Sequence, residues 1–106
     1  PPIEGPAGVA CLCRQDLATA GCGTSWPAVT VRRFRMGCHR VARAGRARSK
    51  QRARRLVGSA ERQFAKTMRS ITRASERGVL SGGCAASIAA RVADALGRTT
   101  RLDATL

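Results

Sequence analysis

Tyrosine is absent from this 106-residue chain, tryptophan occurs once (Trp26) and phenylalanine twice (Phe34, Phe64). Acid is scarce as well, with six Asp and Glu against twenty Lys and Arg. Leu, Ile, Val and Phe together number nineteen, no more than Ala alone, so the 43% hydrophobic content overstates the bulky side chains. So little bulky surface barely offsets the entropy of a chain this short. A self-sufficient enzyme with a deep pocket is therefore not expected, and neither are a cofactor or a small-molecule substrate. No two carboxylates stand at the i, i+3 or i, i+4 spacing of an acid/base dyad. Cys38 and His39, the one thiol–imidazole neighbour pair, would point about 100° apart on a helix. His39 is expected to face solvent or phosphate. The glycines at 78, 82 and 83 lack the Lys-Ser/Thr of a phosphate loop. No apolar run approaches the roughly 18 residues of a membrane span, and no secretory apolar region stands out. The chain opens on Pro1 rather than Met, which leads one to expect an imported, processed protein.

What the chain does have is positive charge, formally +14, and it is concentrated. Between residues 32 and 55 stand Arg32, Arg33, Arg35, Arg40, Arg43, Arg46, Arg48, Lys50, Arg52, Arg54 and Arg55 with no acid among them. Such a block repels itself, and a bound polyanion relieves the repulsion. Eighteen of the twenty basic residues are Arg, whose planar fork grips phosphate bidentately and stacks on bases. Arg62, Lys66, Arg69 and Arg73 continue the pattern at helical spacing. These fifteen residues form the expected RNA-contacting set. A solvated basic face or a targeting segment is the plainer alternative.

The periodicity predicts an all-α chain: an antiparallel three-helix bundle with a long basic first helix and an irregular N-terminal extension. Residues 1–30 hold all four prolines and four of the eleven glycines, which predicts an irregular stretch, with Trp26 as an anchor. Residues 31–97 form the expected helical RNA-binding domain. Its first helix, 31–55, has few large apolar residues (Phe34, Met36, Val41), so it is expected to need an outside partner to be ordered. Gly37 and Gly45 are candidate kinks. Leu56-Val57-Gly58-Ser59 reads as a turn with Ser59 capping the second helix. That helix then shows Ala60, Phe64, Met68, Ile71 and Ala74/Ser75 on one face and stops at Gly78. Ser81-Gly82-Gly83 opens the third, which carries Ile88, Val92 and Leu96 as its stripe, an Asp94–Arg98 pair, and Gly97 at its end. Residues 98–106 are the expected tail.

Ile71-Thr72-Arg73-Ala74-Ser75-Glu76-Arg77-Gly78-Val79-Leu80, followed by Ala85-Ala86 and Arg91-Val92-Ala93, resembles the C-terminal signature of ribosomal protein twenty of the bacterial-type small subunit. That family reads I-D-K-A-A-x-K-G-V-I-H-K-N-x-A-A-R-x-x-S-R-L-A. Ile71, Ala74, Gly78, Val79, Ala85, Ala86, Arg91 and Ala93 match outright, and Arg73, Arg77, Leu80 and Val92 match in kind. The resemblance covers residues 71–96. Ser81-Gly82-Gly83 replaces the family's His-Lys-Asn, and Ser87-Ile88-Ala89-Ala90 replaces Arg-x-x-Ser, so the last helix has lost much of its basic face. The resemblance implies a non-catalytic structural constituent of a small ribosomal subunit that binds rRNA beside neighbouring ribosomal proteins and supports assembly. Processing and divergence point to an organelle, and the family's presence in plastids favours a plastid over a mitochondrion. Two alternatives stand beside this reading. One is a basic accessory subunit of an organellar membrane complex, sitting on anionic lipid or an acidic neighbour. The other is a different ribosomal protein, since Arg32-Arg33-Phe34-Arg35 and Cys38 faintly resemble small-subunit protein twenty-one.

Five cysteines complete the inventory. Cys11, Cys13, Cys22, Cys38 and His39 lack the paired C-x2-C knuckles of a zinc site, so no metal is expected. An odd count in a protein of reducing nucleic-acid machinery predicts tolerated thiols, with disulfides less expected still.

Overall fold

The computed structural model describes residues 5–14 and 27–106. Within them the chain is all helix: α1 (Gly5–Arg14), α2 (Ala28–Gly45), α3 (Lys50–Glu76) and α4 (Gly82–Ala104). The all-α expectation holds, but there are four helices where the sequence predicts three. The stretch 1–30, read as irregular, contains α1. Its proline lies in the first turn, where the missing amide costs nothing, and Val9 and Leu12 are buried. Residues 1–4 and 15–26, with the Trp26 anchor and Cys22, lie outside the described residues.

The predicted 31–55 rod is two pieces. α2 stops at Gly45, Arg46 to Ser49 make the turn, and α3 starts at Lys50. Ser49, not Ser59, is the N-cap, its side chain accepting from the Arg52 amide at 3.1 Å. The expected turn at 56–59 is the interior of α3. Val57 is completely buried there, and that burial outweighs the roughly 1 kcal/mol that a helical glycine costs at the next position. α4 likewise runs through Gly97 and absorbs most of the expected tail, with Thr99 fully buried.

Other signals hold. α3 ends where Gly78 turns to φ +75°. The Val79 amide donates to Ala74 O at 2.9 Å and the Gly78 amide to Ser75 O at 3.1 Å, the pairing of a Schellman cap. Ser81 caps α4 by accepting from the Cys84 amide at 3.2 Å. Arg98 Nε meets Asp94 Oδ1 at 3.1 Å.

Neighbouring helices run antiparallel. Arg33 meets Ser70 and Arg40 meets Ser59 across α2 and α3, and Thr100 meets Glu61 across α3 and α4. Cys13 and Cys38, with Pro6 against Gly45, pair α1 with α2. α1 also packs on α4, so the four form an up-down-up-down bundle, 43 × 23 × 19 Å.

The arginine block is thus ordered against protein, contrary to the expectation that it needs a partner. α2 buries Thr30, Phe34, Gly37, Val41 and Ala44. Phe34 and Phe64 meet at 5.6 Å between centroids, tilted by 50°, and burying each ring contributes about 1.5–3 kcal/mol. Gly37 is no kink. A Cβ there would lie 2.6 Å from Phe64 Cε1, so the missing side chain is what lets the ring sit against the α2 backbone.

The cysteine expectation is overturned. Cys13 and Cys38 form a disulfide with Cα atoms 6.0 Å apart, and Cys84 is disulfide-bonded too. Cys11 is a free thiol. Oxidised sulfurs cannot serve as thiolate ligands, and among the described residues no three His, Cys, Asp or Glu gather as a metal site.

Candidate nucleic-acid interface

Helical phase decides which basic residues act together. On α2, the buried positions 30, 34, 37, 41 and 44 face inward, and Arg33 and Arg40 lie at the edge of that stripe. Their guanidiniums cross the seam to α3. Arg33 Nη1 donates to Ser70 Oγ at 2.9 Å, and Arg40 Nη1 donates to Ser59 Oγ. The two serines accept from the arginines, so the cations are fixed in place without losing their charge, and each retains further N–H donors. No carboxylate takes part in either contact.

Around this seam, Arg43 on α2 and Arg55, Arg62, Lys66 and Arg73 on α3 are all exposed and lie within a quarter-turn of the bonded partners. From Arg55 to Arg73 the row extends about 27 Å along the α3 axis at the helical rise. Arg32 and Arg69 stand at its margins. Arg46, Arg48, Lys50 and Arg52 cluster at the α2–α3 turn, also exposed. Two expected residues fall elsewhere. Arg35 is on the far side of α2, and Arg54 faces α4, where its Nε donates to the Leu106 carbonyl oxygen at 2.7 Å. Arg77, outside the predicted set, is exposed at the end of α3. Its place in the family-like pattern, where a basic residue stands, was the signal for it.

The other half of the bundle is nearly neutral. α4 carries Arg91, Arg98 and Arg101 against Asp94 and Asp103, and much of its outer surface is Ala, Ser and Thr. Between α3 and α4 the fold also builds a carboxyl pair from residues 42 apart in sequence, Glu61 and Asp103. Burial first, and then the neighbouring Asp103, push the Glu61 carboxyl above its ordinary value of 4.5. Thr100 Oγ1 donates to Glu61 Oε2 at 3.4 Å, while Oε1 is buried without a partner. The pair lies between α3 and α4.

A shallow groove of about 270 Å³ lies where the start of α2 meets the end of α3. Among the described residues no helix is long and apolar enough to cross a membrane. Comparison of the chain with protein-family models, curated proteins and solved structures gives no match.

Proposed function

We propose that the protein is a non-catalytic, structural RNA-binding protein that docks the outer flank of the α2–α3 hairpin on the phosphate backbone of a structured RNA. The observation that carries this reading is the seam itself: Arg33 and Arg40 are tethered by serines instead of acids and sit among five further exposed cations. Charge held this way is already positioned, so little side-chain entropy is lost when phosphates arrive. Few of these residues could read bases, so recognition rests on the shape and phosphate placement of the RNA.

The ribosomal form of the proposal, an organellar small-subunit constituent with rRNA and neighbouring ribosomal proteins as partners, rests on the pattern in residues 71–96. Two features weigh against it. The cystines fit an oxidising compartment better than a plastid or mitochondrial matrix, and the arginine block has a folded core of its own. The same cystines favour a second reading, a basic accessory protein held by charge on an anionic neighbour in an oxidising compartment.

Filter binding of a structured rRNA fragment across a salt series tests the first reading. About five phosphate contacts give a log–log salt slope near −4. Failure to bind at low salt, with binding to an acidic protein instead, would replace it with the second.

A further inference from the structure

Thr30 is 1% exposed, and its hydroxyl oxygen has no hydrogen-bond partner. Thr30 stands in the first turn of α2, where the helix offers no carbonyl four residues earlier, whereas a threonine in a helix interior can return to one. Thr67 and Thr99 in this bundle do so, donating to Gln63 O and Ala95 O, each at 2.7 Å. Thr30 is the exception, and it lines the groove at the head of α2.

Three further features of that groove point the same way. α2 follows Pro27 and has no side-chain cap, so the amides of its first turn lack a side-chain acceptor, at the end of the helix that carries partial positive charge. Arg33, Arg73 and Arg77 line the walls, bringing three guanidiniums from two helices to one place. Val29 and Val79, 42% and 64% exposed, form apolar lips beside them. The donors are an alcohol, backbone amides and three separate cations, and among the described residues no acid lines the groove.

We infer that this groove is a site for a phosphomonoester, the phosphorylated end of an RNA strand, with the terminal nucleoside resting on Val29 and Val79. The inference rests on the RNA-binding reading and gives one groove a defined task within it. Three guanidiniums converging from different directions suit a dianion with three free oxygens better than a carboxylate with two. The Thr30 hydroxyl supplies the donor for the deepest oxygen, and the α2 amides supply the charge that neutralises it. A backbone phosphodiester, with two free oxygens and one charge, would fill the site only in part, so the groove distinguishes a strand end from strand interior.

The experiment uses the full chain with its disulfides intact, in chloride buffer, and two short RNAs identical except for a 5′-phosphate or a 5′-hydroxyl. Inorganic phosphate alone is a third probe, followed by amide NMR. The wild type should bind the phosphorylated strand about tenfold tighter, which corresponds to about 1.4 kcal/mol. Thr30→Val, which removes an unpartnered hydroxyl and keeps the shape, should reduce that ratio to near one without loss of helicity, and Arg77→Gln should reduce it several-fold. Equal binding of the two strands overturns the site and leaves the RNA reading standing. If neither strand binds but phosphate shifts the amides of residues 28–30 in the wild type and not in Thr30→Val, the phosphate site stands and the RNA reading falls. If neither strand nor phosphate does anything, both fall.

Discussion

The two halves of the bundle reach stability by different means. The α2–α3 hairpin carries five basic residues on one helix and eight on the other, yet holds together through both phenylalanines and a glycine that lets them interlock. The α1–α4 half has little charge and few large side chains, and there α1 is held by a cystine. A helix of ten residues is marginal by itself in water, so α1 depends on what it is tied to. The charged half can present so many cations because its inner face is closed by two buried phenylalanine rings. The neutral half contributes cover and a covalent tie, which small domains with thin cores commonly need.

The largest effect should come from breaking the packing of the charged half. Phe64→Ala removes the ring that meets Phe34 and should cost about 3–5 kcal/mol, read as a shift in the denaturant midpoint. If the hairpin instead were held mainly by the neutral half, the loss would be under about 1 kcal/mol. Next is the tie. Cys13→Ser with Cys38→Ser opens a loop of 25 residues and should cost about 3 kcal/mol by the chain-entropy estimate. Hydrogen exchange in this variant should quicken first in α1 and leave the α2–α3 seam protected.

Function should divide along the same line. Gln at Arg62, Lys66 and Arg73 together should weaken RNA binding at least tenfold and lower the salt slope by about 2. Gln at Arg91 and Arg101 on α4 should change affinity less than about twofold. Equal losses in the two variants would mean that bulk charge, not the seam, recruits the RNA. The smallest effect concerns Glu61. Because its folded carboxyl sits above the ordinary 4.5, the fold gains stability below that pH and loses it as pH rises through the raised value. Glu61→Gln should therefore abolish this fall in stability as pH rises from 4.5 through the raised value. At pH 7 it should stabilise by no more than about 0.5 kcal/mol, since water screens a partly exposed pair.

How much of this the sequence reveals depends on distance along the chain. Local signals were legible: the i, i+3, i+4 face of Ala60, Phe64, Ile71 and Ala74, the stop at Gly78, the cap at Ser81 and the Asp94–Arg98 pair. Val57 and Gly58 misled because a four-residue run that looks like a turn carries no record of what will bury it. α1 was hidden by its glycine and proline content, although Pro6 is harmless in a first turn. The Cys13–Cys38 bond and the Glu61–Asp103 pair join helices far apart in sequence, and no local spacing encodes either one. The cationic residues are legible in the sequence as types, but their grouping on a surface is not. Phase on two antiparallel helices gathers Arg33, Arg40, Arg43, Arg55, Arg62, Lys66 and Arg73 on one flank and sends Arg35 and Arg54 elsewhere.

The gap at Gly37 also fixes alignment. If α2 slid one turn along α3, the Phe64 ring would meet Phe34 or Val41 on the facing stripe, and neither leaves a vacancy for it. The ring has a single place to sit, so apolar packing at Gly37 holds the axial register of the hairpin. Serine and arginine partners across the seam are then lined up as a by-product of one absent methyl.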